Sequence, residues 1–154
     1  MNTDKKISRR EALKRMGFAV MSSAIASSGL LSLASCETKR SKRIIFYFTG
    51  TGNSLYIARQ LAGENAELLS IPQMVKRGKY EFEADEIGIV YPIYGHMPPY
   101  MVRQFIQKAK LKAEYKFAVL TYGARKCDAV EIWDRISRKA DNAFDYISTI
   151  IMVD

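Results

Sequence analysis

The chain has 154 residues and carries 24 Lys+Arg against 16 Asp+Glu, a formal net charge of +8. Its only cysteines, Cys36 and Cys127, exclude a disulfide framework, and with the single His96 they are too few for an iron–sulfur or zinc set. Segment 1–36 holds six of the basic and two of the acidic residues, so residues 37–154 keep a net +4, a modest excess that does not point to nucleic acid as a partner.

The N-terminal segment reads as a targeting signal. Ser8-Arg9-Arg10-Glu11-Ala12-Leu13-Lys14 is a twin-arginine motif, and the uncharged run Gly17 to Leu33 behind it is diluted by serine, alanine and glycine. That run is short of the roughly 20 apolar residues a membrane span needs. Leu33-Ala34-Ser35-Cys36 matches a bacterial lipobox, which makes Cys36 the expected lipidation site. Residues 1–36 are therefore expected to be an export signal, and residues 37–42 a basic tether. This predicts a protein handled by the twin-arginine translocase and anchored by lipid to the outer face of the cytoplasmic membrane. The alternative is an amphipathic helix over Arg9 to Ser22.

Residues 43–154 alternate strand-like and helix-like runs. Arg43 to Phe48 is continuously apolar at its centre, as a strand covered on both faces should be. It runs into Thr49-Gly50-Thr51-Gly52-Asn53-Ser54, which opens a helix over Ser54 to Leu61 with Leu55, Ala58 and Leu61–Ala62 on one face. A strand that turns through glycines into a helix start aims backbone N–H groups and a helix dipole at one point, where an anionic phosphate binds. The hydroxyls of Thr49, Thr51 and Ser54 and the amide of Asn53 add neutral donors. A P-loop needs a lysine, and none is present; a dinucleotide fingerprint needs a third glycine where Leu55 stands. The remaining alternative is a Thr/Gly/Asn turn that merely caps the helix.

The spacing next predicts a strand over Glu67 to Ile71 ending at Pro72, and a polar connection over Lys76 to Glu83. A strand over Glu86 to Tyr91 ends at Pro92. Pro98-Pro99 starts a helix that buries Met101–Val102, Phe105–Ile106 and Ala109. The lysines of Lys108-Ala109-Lys110-Leu111-Lys112 read as a solvated helix end. Lys116 to Thr121 is a strand. Ala129 to Ala140 is a helix with Val130, Trp133, Ile136 and Ala140 on its stripe, and Asp145 to Val153 is the last strand. Such alternation implies right-handed crossovers and a doubly wound α/β parallel sheet. Five strand–helix units need about 125 residues. The 112 from Arg43 to Asp154 fall short, so a C-terminally truncated domain without its final helix is expected.

Phe48-Thr49-Gly50-Thr51-Gly52-Asn53-Ser54 closely resembles the phosphate loop of flavodoxins. It is closer still to the flavodoxin half of bacterial ferredoxin–flavodoxin fusion proteins, although this chain lacks their cysteine-rich module. The resemblance implies a flavodoxin-like sheet with strand order 2-1-3-4-5 and FMN as cofactor. Thr49, Gly50, Thr51, Gly52, Asn53 and Ser54 would hold its phosphate. The loop Tyr91 to Pro98 resembles the family's second loop, so Pro92, Ile93, Tyr94 and Gly95 would flank the ring, with Tyr94 stacking on it. Thr121, Tyr122 and Gly123 open a loop that resembles the one along the ring edge. Arg125-Lys126 in that loop would stabilise the reduced, anionic ring if they approach it. His96 is expected to be solvated or structural, and Cys127 a small buried residue at the helix start, rather than a proton donor and a reactive thiol.

No catalytic residue and no metal ligand is assigned, since one histidine offers no convincing Ser–His–Asp arrangement. The functional expectation is an exported flavodoxin-like protein that transfers electrons between redox partner proteins, with acidic partners favoured by its basic surface. A small FMN-dependent NAD(P)H or quinone reductase is one alternative. A degenerate lipoprotein that binds no flavin is another.

Overall fold

Ile44, Ile45 and Phe46, the centre of the first strand, are all buried, so both faces of that strand must be covered. A computed structural model describing residues 42–152 shows how. Strands β1 to β7 are Arg43–Tyr47, Ala66–Ser70, Glu81–Glu83, Glu86–Pro92, Lys110–Lys112, Tyr115–Tyr122 and Tyr146–Ile151. Helices α1 to α4 are Asn53–Ala62, Ile71–Arg77, Tyr100–Lys108 and Ala129–Lys139. Five strands form one parallel sheet in the order β2-β1-β4-β6-β7, and β3 pairs with β5 in a separate two-stranded sheet. Counted within the large sheet, the order is 2-1-3-4-5, the doubly wound arrangement expected from the sequence. The expected signal at 1–36, Cys36 and the tether up to residue 41 lie outside the described residues.

Side chains alternate across each strand, and the two faces make separate cores. Ile45, Val90 and Val119 point to α1, which meets them with Ala58 and Ala62. Ser54, Ala58 and Ala62 recur at every fourth position of α1 and are buried, so small side chains let this helix lie close to the sheet. On the other face Phe46, Ile89, Tyr91 and Leu120 pack with Met74 of α2, Phe105 of α3 and Trp133 of α4. Each such fully buried large apolar side chain contributes about 1.5–3 kcal/mol.

Several local expectations are corrected. Lys110–Lys112 is not a helix end but a strand beside Glu81–Glu83, with Lys110–Glu81 and Lys112–Glu83 ion pairs at 2.7 and 3.1 Å. The polar stretch Lys76 to Glu83 thus contains the end of α2 and strand β3 as well as a connection. Its alternation of charge about the buried Phe82 and Leu111 is a period-2 signal only three residues long. The amide of Asn142, buried, ties this region to α3: it accepts from Leu111 N–H and donates to the carbonyls of Ile106 and Ala109.

Met101 is exposed, because the buried face of α3 is Val102, Phe105 and Ile106. In α4 the buried stripe is Ala129, Ile132, Trp133 and Ser137 rather than Val130, Trp133, Ile136 and Ala140. The rotation follows Trp133, which sits between Tyr91 and Phe144 at ring-centroid distances of 4.9 and 5.3 Å.

Candidate functional site

Strands β1, β4 and β6 are parallel neighbours, so the loops that leave their C-terminal ends converge. The first loop continues β1 through Phe48, whose N–H donates to Val90 O at 2.9 Å. Thr49 then folds back, and its Oγ1 accepts from Gly52 N–H at 2.9 Å. Gly52 has φ of 100°, a left-handed value costly for a residue with a Cβ. It serves as the N-cap of α1, so no side chain caps the helix, and no acidic residue occupies its first turn. The first N–H groups of a helix lack intrahelical partners. Here they face an uncharged loop, and a helix dipole stabilises an anion there by about 0.3–1 kcal/mol.

The second loop leaves β4 at Pro92. Ile93 N–H donates to Thr121 O at 2.8 Å, which fastens this loop to the third. Tyr94 and Met97 then exchange two backbone hydrogen bonds of 3.0 Å around Gly95 and His96, both at positive φ. This tight turn holds Tyr94 above the first loop. A Cβ built on Gly50 would lie 2.6 Å from Tyr94 Oη, so the hydroxyl occupies the space that Gly50 leaves open.

The third loop leaves β6 at Thr121. Buried Thr121 Oγ1 and buried Ser54 Oγ are 2.8 Å apart, a hydrogen bond that joins the start of α1 to the end of β6. Ser54 and Thr121 are therefore braced against one another as well as lining the cleft.

Together these loops enclose a cleft of about 310 Å³, within the size range of small-molecule sites. Thr49, Gly50, Thr51, Asn53 and Ser54 line it from the first loop and the start of α1, Pro92, Ile93 and Tyr94 from the second, and Thr121, Tyr122 and Gly123 from the third. Of the residues singled out in the sequence, Gly52 and Gly95 do not line it; they shape the turns that aim their neighbours. Met152, which follows β7 and donates its N–H to Tyr122 O at 2.8 Å, lines the cleft and was not foreseen. Its place depends on β7 pairing with β6, and no local pattern announces that. No charged residue lines the cleft among the described residues. Arg125 and Lys126 are exposed and are not among the lining residues.

Cys127 is exposed and not buried as expected, with φ of 44°, because the loop must turn sharply before α4. Its Sγ lies 3.5 Å from His96 Nε2, and His96 Nδ1 lies 3.7 Å from Asp128 Oδ1. These three exposed groups sit beside the cleft without lining it.

A donor set without charge around an uncapped helix start suits one phosphate monoester, and the flat, half-exposed ring of Tyr94 beside it suits a planar group. No family model matches the chain, and no curated protein matches it. Solved structures do. A flavoprotein from Lactobacillus acidophilus NCFM in complex with FMN aligns at a TM-score of 0.52 and 12% identity, over 71% of this chain and 93% of that one. Two-electron reduced flavodoxin from Megasphaera elsdenii aligns at 0.50 and 20% identity, over 72% and 85%. The Trp repressor binding protein of Bacillus subtilis aligns at 0.51 and 12% identity, over 73% and 85%. At these identities the likeness concerns the fold, which is flavodoxin-like.

Proposed function

We propose that this chain is an electron carrier that binds FMN in the cleft between its three loops. The observation that carries this reading is the uncapped, uncharged start of α1 at the C-terminal end of the central strands, facing a 310 Å³ cleft. Two of the similar structures are described as an FMN complex and as a flavodoxin, which supports the same assignment. The first-turn N–H groups of α1 and the hydroxyls of Thr49 and Thr51 hold the monophosphate. Tyr94 and the backbone of Tyr122–Gly123 would flank the ring, and Pro92 and Ile93, which also line the cleft, would shield it from water. When bound, FMN supplies the one- and two-electron chemistry, and the protein supplies position and a neutral surround. Among the described residues no carboxylate, histidine or cysteine lines the cleft.

The twin-arginine motif at Ser8 to Lys14 and the lipobox ending at Cys36 support export and a membrane anchor. Export through a route for folded cargo agrees with a cofactor loaded in the cytoplasm. The redox partners are acidic proteins, drawn by the net +4 of residues 37–154. In the test, the full-length chain is expressed in bacterial cytoplasm, purified and titrated with FMN. Bound-flavin absorbance bands and slow NADPH oxidation unless a partner reductase is added are expected. Failure of the folded protein to take up FMN at millimolar supply would remove the assignment.

A further inference from the structure

On the side of the sheet away from α1, a groove of about 570 Å³ runs between α3 and α4. Arg103 and Gln107 line it from α3, and Arg135, Ile136, Lys139 and Ala140 from α4 and its end. Three of these residues are cations and none is acidic. Elsewhere Arg43, Lys110, Lys112 and Arg138 each meet a carboxylate. Arg103, Arg135 and Lys139 make no ion pair among the described residues.

Arg103 lines the groove from α3 and has no carboxylate partner among the described residues. The Tyr100 ring lies 5.9 Å from its guanidinium carbon, and its Nε is buried with no hydrogen-bond partner. That nitrogen is closed to the groove, so a ligand there would meet the terminal amino groups of the guanidinium. Helix dipoles do not account for the cluster. Lys139 complements the C-terminal end of α4, but Arg135 lies mid-helix and Arg103 lies in the first turn of α3, where the dipole is already positive.

We propose that this groove binds a phosphate group, gripped by the forks of Arg103 and Arg135 and by the ammonium of Lys139, with the Gln107 amide as a neutral donor. Paired guanidinium groups suit the geometry and charge of phosphate oxygens. The phosphate belongs either to a soluble phosphorylated molecule or to an anionic lipid headgroup. The groove shares no residue with the cleft, so this inference stands whether or not FMN is bound.

The test uses the full-length chain at physiological ionic strength, loaded with FMN and freed of unbound FMN by gel filtration, so that neither the cleft nor free FMN competes for the probe. Pyrophosphate is titrated by calorimetry. Flotation compares vesicles of phosphatidylcholine with vesicles of equal parts phosphatidylcholine and phosphatidylglycerol. Arg135→Gln/Lys139→Gln removes two groove cations at exposed helical positions that glutamine tolerates, and circular dichroism checks that the fold is kept. Arg125→Gln/Lys126→Gln removes the same charge outside the groove. Saturable pyrophosphate binding that weakens about tenfold or more in the groove variant only supports a soluble ligand. Phosphatidylglycerol-dependent flotation lost in the groove variant only supports a headgroup. Binding of neither probe overturns the proposal, as does binding that survives the groove variant or falls equally in the control.

Discussion

Gly50→Ala separates the geometry of the cleft from the stability of the fold. Gly50 does not have a left-handed φ, so alanine meets no backbone strain there. Its new Cβ would lie 2.6 Å from Tyr94 Oη but 3.9 Å from Tyr94 Cζ, an ordinary contact. Only the hydroxyl must yield, and Tyr94 is 51% exposed, so the ring can swing outward. An off-rotamer shift costs about 0.5–1.5 kcal/mol, and replacing glycine recovers about 0.4–1 kcal/mol by restricting the unfolded chain. Unfolding in urea should therefore change by less than about 1 kcal/mol. FMN binding should suffer more, because a stacked aromatic pair contributes about 0.5–1.5 kcal/mol beyond its buried area. At 1.4 kcal/mol per tenfold, that is up to about a tenfold rise in Kd. Tyr94→Phe removes the obstructing oxygen, so Gly50→Ala should cost almost nothing in that background. Quenching of flavin fluorescence, titrated on the four proteins of the cycle, reads the coupling. Equal weakening by Gly50→Ala with and without Tyr94→Phe would refute the reasoning and place the collision on the ligand.

Further outcomes follow from buried polar groups. Tyr91 Oη is buried without a partner, so Tyr91→Phe should raise stability by about 1 kcal/mol in a denaturant titration; a loss would show that the hydroxyl is satisfied. Burial also pushes the Tyr91 phenol well above its ordinary value. The fold favours the protonated form, so this residue's contribution is constant below about pH 10 and declines as pH rises beyond it; melting curves of Tyr91→Phe should lose that part of the alkaline decline. Asn142→Ala removes the acceptor of Leu111 N–H and the donor to Ile106 O, Ala109 O and Ala140 O. At about 1 kcal/mol for each bond it should cost roughly 3–4 kcal/mol, and a cost below about 1 kcal/mol would show the network to be dispensable. Ser54→Ala and Thr121→Val each strand the other buried hydroxyl, at about 1–3 kcal/mol apiece. The double variant should cost clearly less than the sum, and strict additivity would mean that the 2.8 Å bond is not formed in solution.

Much of this protein was legible along the chain. Ile44 to Phe46 read as a strand covered on both faces because it is a continuous apolar run, and Glu86 to Tyr91 read as a strand ending at Pro92. Their alternation with helices leaves few topologies open. The cleft was legible for the same reason: Thr49 to Ser54 follows a strand and opens a helix, and parallel strands gather the next two loops at the same end. What stayed hidden was set by pairings between distant residues. Three-residue strands carry too little periodicity to announce themselves, so Lys110–Lys112 takes its form from Glu81–Glu83, 29 residues earlier. Met152 reaches the cleft only because β7 lies beside β6, and Cys127 meets His96 only because two loops adjoin. The cationic groove likewise exists only where α3 lies beside α4. Residue type and local period determined the elements and the glycine-rich loop between β1 and α1. Side-chain neighbours across the sheet and between helices required the tertiary structure, because nonlocal packing leaves no local period to read.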